Sequence, residues 1–116
     1  MQKKQPKKPV SVHWKVRLTR ANHKQFIART LNIASRYLHI ESEQNLKTGE
    51  SIKVEIFALH EGVKKLLVAI GTVKSSVLLS TGTSYSITLS LDKVSDDDHQ
   101  FVEAYIKARE SLAIHR

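Results

Sequence analysis

From Val10 to Thr19 the chain changes character at every residue. Val10, Val12, Trp14, Val16 and Leu18 are apolar, and Ser11, His13, Lys15, Arg17 and Thr19 between them are polar. Such a period of two places alternate side chains on opposite faces of an extended strand, whereas a helix would scatter the same set around its circumference. The alternation returns at Ile52, Val54, Ile56 and Ala58, and again at Tyr85, Ile87, Leu89 and Leu91. "FIARTLNI", "YLHIES" and the long "KLLVAIGTVKSSVLL" complete a set of six strand segments. Their connections are short and polar, among them "RANHKQ", "HEG" and "STGT". Short connections require antiparallel neighbours, since a parallel return needs a dozen or more residues. The pattern predicts a small antiparallel β-barrel. Gly71, inside the longest segment, predicts a bulge or a sharp bend there.

The last segment has a different period. Phe101, Val102, Tyr105, Ile106 and Leu112 recur at three- and four-residue spacings, which predicts a C-terminal α-helix. Ser95 followed by Asp98 resembles a capping box with Asp in place of Glu, and three successive Asp residues suit the positive end of a helix dipole. "SDDDH" therefore reads as a helix start rather than a metal site, because no His or Glu stands at ligand spacing.

A chain of 116 residues can bury one core, so residues 10–116 are expected to form a single barrel domain with its helix. Residues 1–9, "MQKKQPKKP", hold four lysines and two prolines and are expected to be a flexible basic arm. Residues 1–91 carry fifteen Lys or Arg against five acids, +10, while the remaining residues net −2. A basic front half suits an anionic partner. The chain has no cysteine and no apolar run near the roughly eighteen residues of a membrane span, and its lysine-rich start, with no apolar run behind it, is not expected to be a signal peptide. The expected location is the cytoplasm.

Catalytic arrangements are missing. There is no Gly-x-Ser-x-Gly elbow, no His-Glu-x-x-His and no glycine-rich phosphate loop, and the six histidines are scattered. The chain is not expected to be an enzyme or to hold a metal or cofactor. His13 and His39 fall on the polar sides of strands, where an exposed imidazole is the default. A nucleic-acid-binding barrel would need exposed aromatics for base stacking. Trp14 and Tyr85 lie on apolar faces and Phe101 and Tyr105 on the helix stripe, which leaves Tyr37, Phe26 and Phe57.

One corner is unusual. In "LNIASRYLHI", Asn32, Ser35 and Arg36 crowd where an ordinary hairpin would place Gly or Asn-Gly. Asn32 could cap a turn through an Asx bond, or it could contact a ligand. The order of features is a basic arm, a strand pair, this corner, further antiparallel strands and an acid-capped helix. That order resembles the PilZ domain, a bacterial six-stranded barrel that serves as a receptor for cyclic di-GMP. The resemblance runs from about Lys3 to Arg109. It is carried by "RTLNIASRYLHIES", "LKTGESIKVEI", "AIGTV" and "SYSITLSLDKVSDDDHQFVEAYI".

The resemblance implies two ligand motifs. The family's Arg-x-x-x-Arg falls on the arm, where Lys4 and Lys8 (or Lys3 and Lys7) keep the spacing with a different side chain. The family's Asp/Asn-x-Ser-x-x-Gly falls on the corner, with Asn32 in place, Ala34 at the Ser position, Tyr37 at the Gly position and Ser35 displaced by one. An Arg fork can meet guanine O6 and N7 bidentately, whereas Lys offers a hydrated point charge. Each lost bidentate pair costs roughly 1–3 kcal/mol. The expected fold is a mostly β, six-stranded antiparallel PilZ-type barrel with a C-terminal helix. The expected function is a non-catalytic signalling module that binds cyclic di-GMP through Lys4, Lys8, Asn32, Ser35 and Arg36 and relays it by protein contact. The alternatives are a PilZ-like adaptor that acts by protein contact without the ligand, and a small basic nucleic-acid-binding barrel.

Overall fold

The computed structural model describes residues 9–114, with side chains described through Ser111. Seven strands and a helix follow in order: β1 (Val10–Ser11), β2 (Lys15–Thr19), β3 (Gln25–Ile33), β4 (Tyr37–Ser42), β5 (Ser51–His60), β6 (Val63–Leu78), β7 (Tyr85–Val94) and α1 (Asp96–Ile114). Every pairing is antiparallel, and β3-β2-β5-β6-β7-β4 closes on itself through the β3–β4 ladder. Six strands thus form the expected closed barrel. The alternating apolar set lines its interior: Val16, Leu18, Ile33, Leu38, Ile40, Ile52, Val54, Ile87 and Leu89 are fully buried. No helix among the described residues is long and apolar enough to cross a membrane.

The opening alternation is not one strand, contrary to its period. β1 and β2 lie along the same edge of β3, with Ser11 opposite Asn32 and Lys15 opposite Arg29. The entering chain therefore spends one residue more than β3 over this stretch, and the ladder breaks. Thr30, 1% exposed, fills the break. Its hydroxyl accepts from the Trp14 N–H at 2.7 Å and lies 3.0 Å from the Val12 carbonyl, to which it can donate. The interruption is thus satisfied by a side chain while Val12, Trp14 and Val16 all stay buried. Period reports side-chain burial, and it is blind to this change in backbone pairing.

Gly71 marks a second irregularity, as expected. The β6–β7 register shifts between Ile70 and Gly71. A Cβ on Gly71 would meet the Ser90 carbonyl oxygen at 2.5 Å, a backbone atom that cannot swing aside. Gly71→Ala is therefore expected to lower stability by about 1–3 kcal/mol, the usual cost of overpacking. A urea-unfolding midpoint equal to that of the wild type would show that β7 yields freely here. At the β5–β6 hairpin, Glu61 and Gly62 both have positive φ (52° and 77°), and His60 pairs with Val63. This geometry is that of a two-residue I′ connection, which matches the strand twist.

The helix begins as its cap predicts, with one difference. The Ser95 hydroxyl accepts the Asp98 N–H at 3.1 Å, but the Asp98 carboxylate does not complete the box. It accepts the Val68 N–H at 3.0 Å, and Lys65 donates to Asp97, so the acidic first turn ties α1 to β6. Further along, Tyr105 packs on Trp14 with ring centroids 4.7 Å apart and donates its hydroxyl to the Ser11 carbonyl at 3.1 Å. The Trp14 indole N–H donates to the Leu59 carbonyl at 3.1 Å.

Two bidentate ion pairs brace the outer wall. Arg17 grips Glu55 at 2.8 and 3.0 Å, and Arg20 grips Glu50 at 2.7 and 3.0 Å. The guanidinium hydrogen bonds hold both carboxyls below the ordinary Glu range, and the Thr72 and Ser90 hydroxyls do the same for Asp92. A carboxyl depressed in the folded state stabilises above its unfolded pKa and loses that contribution as pH falls through the folded value. Thermal stability should therefore hold from neutrality to about pH 5 as far as these groups are concerned, then decline below about pH 4. Combining Glu50→Gln, Glu55→Gln and Asp92→Asn should flatten that acid limb in a pH series of melting curves. An unchanged limb would assign it to other groups.

Candidate ligand-binding site

The corner between β3 and β4 is a two-residue turn. Ala34 N–H donates to the Tyr37 carbonyl at 2.9 Å, which leaves Ser35 and Arg36 as the central pair, neither with positive φ. The Arg36 carbonyl accepts the Leu91 N–H at 2.8 Å, pinning the turn to β7. No Gly is needed here, because the backbone stays in ordinary regions and a neighbouring strand supplies the missing donor.

What the corner displays is decided by a bulge. Ala28 and Thr30 point into the barrel, and strict alternation would send Asn32 inward as well. Between Thr30 and Asn32, β3 spends one residue more than β4, since Thr30 lies opposite Ile40 and Asn32 opposite His39. Ile33 consequently takes the buried position, and Asn32 emerges half-buried on the outer wall. There His39 Nδ1–H donates to Asn32 Oδ1 at 2.7 Å. This bond replaces the Asx cap that the sequence left open. The two amide N–H donors of Asn32 have no partner among the described residues. A polar row crosses the wall at this level, from Ser11 through Asn32 and His39 to Thr88.

The five expected ligand residues are placed unequally. Asn32, Ser35 and Arg36 share the corner, with Ser35 half-buried in the turn and Arg36 exposed. No hydrogen bond joins these three side chains among the described residues. Arg36 instead lines a shallow cleft of about 420 Å³ with residues 68–70 and 92–95. Lys4 and Lys8 lie outside the described residues. Tyr37, which the sequence resemblance aligns with the family's Gly, is 47% exposed. Its ring stands at the surface and is not driven into the barrel.

His39 is the residue that sequence reasoning undervalued. It is half-buried and bonded, where an exposed imidazole was the default. The signal was present. A turn centred on Ser35 and Arg36 pairs Ala34 with Tyr37, Ile33 with Leu38 and Asn32 with His39, so the partner of Asn32 follows once the turn is fixed. The aromatics are distributed against a stacking platform, since Phe101 and Tyr105 both pack on Trp14. Among the described residues no three His, Asp or Glu side chains gather to hold a metal ion.

No family model and no curated protein matches this sequence. Solved structures do match its fold. The inhibitor of motility MotI/DgrA of Bacillus subtilis superposes with a TM-score of 0.81 at 16% identity, over 97% of this chain and 53% of that one. MrkH of K. pneumonia in its apo state gives 0.75 at 14% identity, over 98% and 55%. This chain thus spans about half the length of those two proteins. The PilZ domain of YcgR from Escherichia coli, in a structure with c-di-GMP, gives 0.69 at 12% identity, over 97% of this chain and 95% of that domain. The closed six-stranded barrel and its docked C-terminal helix, superposed on these structures, make this a chain of the PilZ fold.

Proposed function

We propose that this chain is a non-catalytic bacterial signalling module of the cytoplasm that binds cyclic di-GMP at the β3–β4 corner and passes the signal on by protein contact. The observation that supports the reading is the pairing of Ser11 with Asn32, which brings β1, the strand that follows the lysines in sequence, beside the outward-turned amide. Lys4 and Lys8 hold the phosphodiesters, Asn32 and Ser35 hydrogen-bond base or ribose, and Arg36 supplies stacking or charge. The free N–H donors of Asn32 match guanine O6 and N7, which are acceptors. The YcgR domain of the same fold was solved with this ligand, which supports the choice of ligand class.

A second reading is an adaptor that acts without the ligand. Tyr37 favours it, because its exposed side chain stands where the family pattern has a bare backbone for close approach. Calorimetric titration separates the two. The receptor reading expects saturable binding of cyclic di-GMP to the wild type and its loss in the Lys4→Ala/Lys8→Ala double variant. Absence of heat up to several hundred micromolar ligand would leave the adaptor.

A further inference from the structure

The outer wall formed by β5 and β6 holds large apolar side chains in solvent. Phe57 lies opposite Leu66, Glu55 opposite Val68 and Lys53 opposite Ile70, all on the outer face. With Leu59, these apolar residues are between 38% and 51% exposed. Scattered apolar residues are ordinary on a surface, but a contiguous set marks an interaction site. Leu59, Leu66 and Val68 of this set also lie beyond the flanking ladders. β2 pairs with β5 only as far as Phe57, and β7 pairs with β6 only from Ala69 onward. The hairpin between them therefore leaves the barrel as a two-stranded ribbon. Its inner face is occupied, with Ala58 and Leu67 buried and His60 edge-on to Tyr105 at 5.2 Å. On the outer face Phe57, Leu59 and Leu66 frame a cleft of about 330 Å³, large enough for an apolar side chain.

The charge around this face indicates what it takes. Lys15 stands over Phe57, 5.6 Å from the ring centroid, Lys53 is beside Ile70 and Lys64 is opposite Leu59. None of these lysines has an ion-pair partner among the described residues. The one carboxylate in their midst, Glu55, is already held by Arg17. An apolar stripe bordered by unpaired ammonium groups complements a segment that is both apolar and acidic. A second copy of the same face would bring like charges together. The carboxylate of Glu61, exposed at the hairpin tip, disfavours an anionic membrane surface there.

We propose that the outer face of the β5–β6 hairpin docks a protein partner through a segment combining Asp or Glu with large apolar residues, Leu66 and Phe57 receiving the apolar side chains and Lys15, Lys53 and Lys64 the carboxylates. Val68 and Ile70 border the cleft that Arg36 lines, but the cleft framed by Phe57, Leu59 and Leu66 contains no corner residue, and docking there does not depend on cyclic di-GMP.

The test is selection of binders to the full chain from a random peptide library, with affinities of the enriched peptides measured by fluorescence anisotropy. The expected peptides pair acidic with large apolar residues. Their affinity should fall about tenfold or more with Leu66→Asp, fall with Lys53→Glu/Lys64→Glu, and stay unchanged with Asn32→Ala. Leu66, Lys53 and Lys64 are exposed, so melting curves of these variants should match the wild type. The proposal is overturned by failure to enrich, by enrichment of basic or uncharged peptides, or by binding indifferent to Leu66→Asp. It is equally overturned if Leu66→Asp abolishes binding to phosphatidylglycerol–phosphatidylcholine vesicles, or converts a wild-type dimer to monomer in sedimentation.

Discussion

Replacing Trp14 with alanine is expected to destabilise the fold by about 3–5 kcal/mol, the range for truncating a large buried aromatic side chain. The indole is 6% exposed and lies between the barrel and α1, with Tyr105 at 4.7 Å and Phe101 at 6.4 Å between centroids. Alanine would open a cavity under the helix and strip the Leu59 carbonyl of its donor at the same time. A domain of this size has about 5–15 kcal/mol in total, so a large share would be lost. Trp14→Phe, which keeps a ring but no N–H, should cost less. Because Trp14 is the sole tryptophan, unfolding in urea is best followed by far-UV circular dichroism. A loss under about 1 kcal/mol would mean that helix docking does not depend on the indole, contrary to the aromatic contacts.

The second large effect concerns binding. Asn32→Ala should weaken cyclic di-GMP about 10- to 100-fold, the equivalent of roughly 1–3 kcal/mol for one base-edge interaction. His39→Ala should weaken it less, because His39 acts by fixing the Asn32 amide through the 2.7 Å bond and is not itself assigned a ligand contact. Both side chains are on the outer wall, so melting curves should barely move, and the two losses should be less than additive. Wild-type affinity in Asn32→Ala would remove the corner from the site even if the lysine arm still bound the nucleotide.

How much of this could be read in advance differs from residue to residue. The inward set from Val16 to Leu89 and the helix start at Ser95 were legible, since each depends on neighbours a few residues away. The bend at Gly71 was legible as a place, though its cause, the Ser90 carbonyl lying across it, was not. The break between Ser11 and Lys15 was hidden, because Trp14 keeps its buried position while its backbone leaves the ladder for Thr30. At the corner the polar residues were visible. Their direction was not, because alternation from Ala28 and Thr30 points Asn32 the wrong way. His39 could have been found by counting across the turn, whereas the projecting β5–β6 ribbon needed the lengths of the flanking ladders.

The sequence by itself determined the architecture: alternating faces, short polar connections and a capped final helix leave a small closed antiparallel barrel as the way to bury one core. Tertiary structure alone decided the register. One extra residue on β3 turns Asn32 from the core to the wall beside His39 and Ser11, and packing on Trp14 sets where α1 lies. Burial period is a local property that each segment carries with it. Register is a relation between strands, and a shift of one residue reverses which face a side chain occupies.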